Sequence, residues 1–136
     1  MKRLLIAAAF ILSASASFAG PEQDAVIAHY AALAKAADPA FAGFSAAKGA
    51  EFYAANHTGG GVDTPSCTTC HTADPKKAGQ TRVGKPIDPM AASANAARFT
   101  DLAKVEKWIL RNCNSVLGRE CTPQETGDVI SWLMTQ

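Results

Sequence analysis

The five residues Cys67-Thr68-Thr69-Cys70-His71 constrain this chain more than any other stretch. C-x-x-C-H is the attachment signature of a c-type haem. Two thiols separated by two residues both reach the vinyl groups on one edge of a porphyrin and form thioethers. The next residue then lies under the iron, where its imidazole serves as the proximal ligand. The fold must therefore wrap one flat apolar cofactor around a short turn. C-x-x-C alone also suits thioredoxin-like and zinc sites; the adjoining His71 narrows the choice to haem c, held through Cys67 and Cys70.

The beginning of the chain supplies a compartment for that chemistry. Lys2 and Arg3 precede an apolar run from Leu4 to Leu12 and a small-residue stretch ending Ser17-Phe18-Ala19. This is the pattern of a secretory signal peptide, with cleavage expected after Ala19. A membrane anchor is the rival, but the run is far short of the roughly 20 residues that cross a bilayer. The expected domains are therefore 1–19, the signal peptide, and 20–136, one haem-bearing domain whose first part, 20–40, is a helical extension. Export to the periplasm and a mature protein without stable membrane insertion follow.

Removal of residues 1–19 leaves 117 of the 136 residues, with 11 basic and 12 acidic side chains. That balance gives no basic excess to favour nucleic acid. Two cysteines remain, Cys113 and Cys121, in an oxidising compartment. Their simplest use is one disulfide around a short loop containing Gly118, worth about 2.5 kcal/mol by chain entropy. The rival is a four-cysteine zinc site, for which the second pair is spaced too widely.

The periodicity is helical. Glu22 to Ala37 carries Val26, Ile27, Tyr30, Leu33 and Ala34 at helical spacing, and Asp38-Pro39 ends it. Ser45 caps a second helix through Phe52 and Tyr53. Asn56 to Pro65 is a Gly-rich loop, and 72–97 reads as mostly irregular. Thr100 or Asp101 caps a helix to about Arg111. Thr122-Pro123-Gln124-Glu125 is a capping box that opens a last helix with Val129, Ile130, Leu133 and Met134 inward. No segment has strand periodicity. The expected fold is all-α, with four or five helices around one covalent haem. This order resembles a class I cytochrome c, whose terminal helices cross closely at a small residue; Gly49 and Trp132 are the candidates for that crossing.

The sixth iron position is open on residue type alone. Met90, in the loop Pro86 to Met90, is the usual kind of ligand. His29 and His57 lack ligand-like spacing and read as surface residues. Leu102, Val105, Trp108, Ile109 and Asn112 fall on one helical face. Asn112 is thus an amide projected from an apolar surface. Geometry favours the plain account, a helix-end residue bonded to nearby backbone.

A more specific resemblance rests on Asp63 to His71, Ala78-Gly79-Gln80-Thr81-Arg82, Val105-Glu106-Lys107-Trp108, Arg111-Asn112-Cys113-Asn114-Ser115, and the spacing from Cys113 to Cys121-Thr122-Pro123. These blocks resemble the sphaeroides haem protein family, SHP, from about Phe41 to Trp132. The resemblance implies His71 as proximal ligand and Asn112 as sixth ligand of the ferric iron, beside a Cys113–Cys121 disulfide. Met90 then packs its loop. An amide oxygen suits Fe(III) better than Fe(II), so reduction is expected to release Asn112 and admit O₂, NO or CO. Arg82, and less so Lys85, are candidates to face the haem propionates. The implied redox partners are a dihaem cytochrome c, with a membrane b-type cytochrome upstream. The alternatives are an ordinary His/Met electron carrier, or a haem enzyme reducing O₂, NO or peroxide, for which His57 is the one conceivable acid. No catalytic triad, carboxylate pair or phosphate loop can be placed.

Overall fold

The computed structural model describes residues 20–136, so the signal-peptide expectation lies outside the described residues. Five helices and one small hairpin occur in the order α1 (Pro21–Ala37), α2 (Ala46–Ala54), α3 (Thr68–His71), β1 (Gly79–Gln80), β2 (Pro86–Ile87), α4 (Leu102–Leu117) and α5 (Pro123–Met134). Among the described residues no helix is long and apolar enough to cross a membrane.

Helices α2, α4 and α5 begin where the sequence supplies a side-chain cap. Ser45 Oγ accepts the Lys48 amide at 3.3 Å, and Asp101 Oδ1 accepts the Lys104 amide at 3.0 Å. At α5 the box is reciprocal: Glu125 N donates to Thr122 Oγ1 at 3.2 Å and Thr122 N to Glu125 Oε2 at 2.8 Å. Each such contact satisfies an amide that has no intrahelical partner.

α5 is the centre of the packing. Its Val129, Ile130 and Leu133 are buried with Val26 and Tyr30 of α1, Tyr53 of α2, Val105 of α4 and Phe99 of the loop before α4; Met134 packs against the edge of this cluster. α1 and α2 both lie on α5. The α2–α5 crossing depends on Gly49, where a Cβ would stand 2.0 Å from the carbonyl oxygen of Asp128. The two backbones therefore touch, and one turn further along Tyr53 meets Trp132 with ring centroids 4.8 Å apart. Asp128 is buried at the same crossing. Its Oδ1 accepts from Ser45 N at 2.7 Å and Gln124 Nε2 at 2.8 Å, which offsets the cost of desolvating a carboxylate.

Two sequence expectations are corrected. The irregular segment 72–97 contains an antiparallel hairpin pairing Gly79 with Ile87 and Gln80 with Pro86. Strands of two residues are too short for alternation to register in sequence. The helix expected to end near Arg111 continues to Leu117, because the polar residues there do not break it. Asn114 Nδ2 donates to Leu110 O at 2.8 Å and Ser115 Oγ to Arg111 O at 3.0 Å, so both side chains fold back on their own helix. The real terminator is Gly118, at φ 69°, a left-handed cap that glycine adopts without strain. On the face that carries Val105, Leu102 and Ile109 pack against the core, and Arg111 lies against the Trp108 ring at 5.4 Å.

Candidate functional site

Cys67, Cys70 and His71 occupy one helical turn. His71 N donates to Cys67 O at 3.0 Å and Cys70 N to the same oxygen at 3.3 Å, which brings both sulfurs and the imidazole to one side of the chain. Both thiols are free and half-buried. Burial raises the Cys67 thiol to about 11. Burial, with the Arg98 charge second, lowers His71 to about 4, leaving a neutral imidazole at pH 7, the form that binds metal. His71 Nδ1 is buried without a hydrogen-bond partner among the described residues. Two reduced thiols and a neutral, incompletely satisfied imidazole on one turn fit the attachment of haem c. Cys113 and Cys121, the second pair of the four-cysteine zinc alternative, are instead joined to each other in a disulfide.

The turn is held at both ends. At its entry Ser66, which is buried, accepts the Thr68 amide at 3.1 Å and donates to Tyr53 O at 3.3 Å. At its exit the Tyr53 hydroxyl lies 3.2 Å from His71 O and 3.1 Å from Thr72 O. Thr72 has φ 64° and ψ 162°, a region that is essentially reserved for glycine and costs on the order of 1–3 kcal/mol elsewhere. β1 lies directly on the turn: a Cβ on Gly79 would be 2.0 Å from Cys70 O. The sequence identified Phe52-Tyr53 as packing aromatics and missed the hydroxyl. The available signal was that a buried tyrosine needs a partner for its O–H.

Asn112 lies on α4 between the buried face and the exposed Trp108, half-buried. Its carboxamide has no hydrogen-bond partner among the described residues, so the helix-end account belongs to Asn114 instead. The backbone just beyond is well anchored. Cys113 and Cys121 form a disulfide with Cα atoms 5.5 Å apart. The Gly-rich loop rests on the same helix end: Gly61 N and Thr64 Oγ1 both donate to Ser115 O, at 2.8 and 2.9 Å. A Cβ on Gly118 would meet Gly59 O at 2.0 Å.

The other candidates separate. Met90 is half-buried against the core, with its amide on Pro75 O at 2.9 Å. His29 is partly exposed, its Nε2 3.2 Å from Glu106 Oε1 but without a hydrogen bond among the described residues. His57 is likewise half-buried, bonded through Nε2 to Phe52 O at 2.8 Å and set against the Phe52 ring. Arg82 and Lys85 are both exposed, Arg82 in the hairpin turn and Lys85 at its end. The guanidinium built into the structure is Arg98, whose Nε donates to Pro89 O at 2.8 Å and whose NH2 donates to Asp88 O. No periodicity or motif distinguished Arg98 in sequence.

The comparisons bear on the whole chain. A family described as a domain of unknown function, DUF1924, matches residues 39–133. The cytochrome c-type protein SHP of Cereibacter sphaeroides is 51 % identical over 100 % of both chains. This chain belongs to the SHP family of c-type cytochromes. A solved structure of oxidised SHP, an oxygen-binding cytochrome c, superposes with a TM-score of 0.77 at 52 % identity, covering 84 % of this chain and 96 % of that one. The solution structure of cytochrome c'' from Methylophilus methylotrophus, a study of haem-ligand detachment in that protein, gives a TM-score of 0.69 at 32 % identity over 84 % and 93 %. SHP-family membership carries the all-α cytochrome fold and haem c, with Cys67 and Cys70 as the attachment pair.

Proposed function

We propose that this SHP-family cytochrome is an exported monohaem electron carrier that also binds a small diatomic ligand, O₂, NO or CO, at the position Asn112 occupies in the oxidised protein. Haem c supplies a one-electron couple and, when an axial position is open, a site for such ligands. His71 would hold the iron through its ring nitrogen, from a turn pinned at entry and exit. Asn112 would offer a neutral oxygen that suits Fe(III) better than Fe(II) and so would be given up on reduction. The observation that carries the reading is the unpartnered Asn112 carboxamide on an anchored helix end. No protein hydrogen bond has to break for it to swing away, and the disulfide and Ser115 contacts keep its backbone in place for its return. Exit is then a side-chain rotation, not a helix movement. Export follows from the expected signal peptide at 1–19. The partners we infer are a dihaem cytochrome c as donor, supplied by a membrane b-type cytochrome.

The test is a set of optical and resonance Raman spectra of oxidised, reduced and CO-treated protein, with Asn112→Ala and Met90→Ala beside the wild type. The expected result is a ferric sixth-ligand signature lost in Asn112→Ala and kept in Met90→Ala, and a ferrous form that takes up CO. A low-spin ferrous form that refuses CO overturns the proposal. Loss of the ferric ligand in Met90→Ala alone reassigns the position to Met90.

A further inference from the structure

We infer that Tyr53 is the positioning residue of the proximal haem ligand, bracketing the Cys67–His71 turn through its carbonyl at the entry and its hydroxyl at the exit. The inference rests on the reading of His71 as the axial ligand. Tyr53 is 2 % exposed, and burial raises its pKa, so the hydroxyl remains a donor. Its single proton is shared between the carbonyls of His71 and Thr72, at 3.2 and 3.1 Å. Those carbonyls flank Thr72, a non-glycine residue in a region of backbone space that glycine alone enters easily. Strain of that kind persists only where surrounding contacts over-determine it. Here the contacts are Tyr53 and the Thr72 hydroxyl, which donates to Asp74 O at 2.7 Å.

The consequence concerns the imidazole. Thr72 follows His71 directly, so the peptide between them sets where the His71 Cα and Cβ lie. Without the hydroxyl, Thr72 relaxes toward an ordinary conformation and turns the His71 main chain with it. Tyr53 is itself placed by the Gly49–Asp128 crossing of α2 on α5. The packing of α2 on α5 is thereby linked to the iron through one hydroxyl.

The experiment uses the holoprotein in four forms: wild type, Tyr53→Phe, Trp132→Phe, and Tyr53→Phe with Thr72→Gly. The readouts are the iron–histidine stretching band of the ferrous protein, the reduction potential and the thermal midpoint. Tyr53→Phe keeps the ring packing and is expected to shift both the band and the potential. Adding Thr72→Gly, which adopts the same backbone angles without strain, is expected to return both toward wild type. Trp132→Phe is expected to lower the midpoint while leaving the band in place. Wild-type values in Tyr53→Phe overturn the inference. So does a band that merely tracks the midpoint across the variants, or a Tyr53→Phe shift that Thr72→Gly does not reduce. A wild-type ferrous protein with no iron–histidine band instead counts against the open, five-coordinate ferrous iron of the proposed function, and the potential still tests Tyr53.

Discussion

The His71 side and the Asn112 side of this cytochrome are held in opposite ways. Behind His71 the main chain is clamped: the turn is bonded at both ends to Tyr53, sits under Gly79, and keeps a strained Thr72 in place. Around Asn112 the main chain is also anchored, by the Cys113–Cys121 bond and the glycine loop on Ser115, but the side chain itself has no protein partner. In the proposed reading, one half restrains its ligand's attachment point and approach angle; the other restrains the attachment point only. An exchangeable ligand needs this second arrangement. Its free state must not cost a buried unmet hydrogen bond, which would be roughly 1–3 kcal/mol, and its return must not require refolding of a helix.

Four substitutions test that contrast, from the largest expected loss of stability to the smallest. Gly49→Leu forces a side chain into the backbone of Asp128 and strikes the clamped half. A loss of about 3 kcal/mol is expected in denaturant titration, together with a disturbed iron–histidine band, since Tyr53 lies one turn away. A stable variant with an unaltered band breaks the link between crossing and turn.

Replacing both Cys113 and Cys121 by Ser acts on the other half. The expected cost is about 2.5 kcal/mol, with faster ligand binding and a heterogeneous ferric spectrum. Unchanged ferric spectra and binding rates mean that the disulfide stabilises the fold without governing Asn112.

Glu125→Gln weakens the start of α5, just past the disulfide. Glu125 pairs with both Arg119 nitrogens at 2.8 and 2.7 Å and closes the capping box. Glutamine can still close the box, so the expected loss is that of an exposed ion pair, about 0.5 kcal/mol. Hydrogen bonds from Arg119 lead the causes that lower the Glu125 pKa. Its contribution is therefore present above the unfolded carboxyl pKa and disappears as pH falls through the lowered folded value. The difference in melting temperature between wild type and variant should shrink over that acidic window; a constant difference from neutral to acid pH removes the ion pair as its cause.

Asn112→Ala is expected to change stability by less than about 0.5 kcal/mol, because no protein hydrogen bond is lost, while the ferric spectrum changes completely. A large loss of stability would mean that the carboxamide is held by the protein after all, and the contrast between the two halves would fail.

Much of this molecule was legible from residue order because it depends on local chemistry. Ser45, Asp101 and the Thr122–Glu125 box act within three residues, so the starts of α2, α4 and α5 could be read directly. The end of α4 was misread because Asn112, Asn114 and Ser115 look like a helix terminus, yet two of them satisfy themselves on the preceding turn. The hairpin at 79–87 escaped because two-residue strands have no period.

The sequence by itself determined the haem turn, since C-x-x-C-H needs only one turn of chain, and the SHP family, through blocks spread over most of the domain. Tertiary structure alone decided that Tyr53 bonds both ends of that turn, that Arg98 rather than Arg82 is the guanidinium built into the packing, and that Asn112 is unpartnered on an anchored backbone. The physical reason is distance along the chain. A hydroxyl 18 residues from its carbonyl, or a glycine on α2 meeting a carbonyl on α5, leaves no local pattern. It exists only once the two helices have closed on each other.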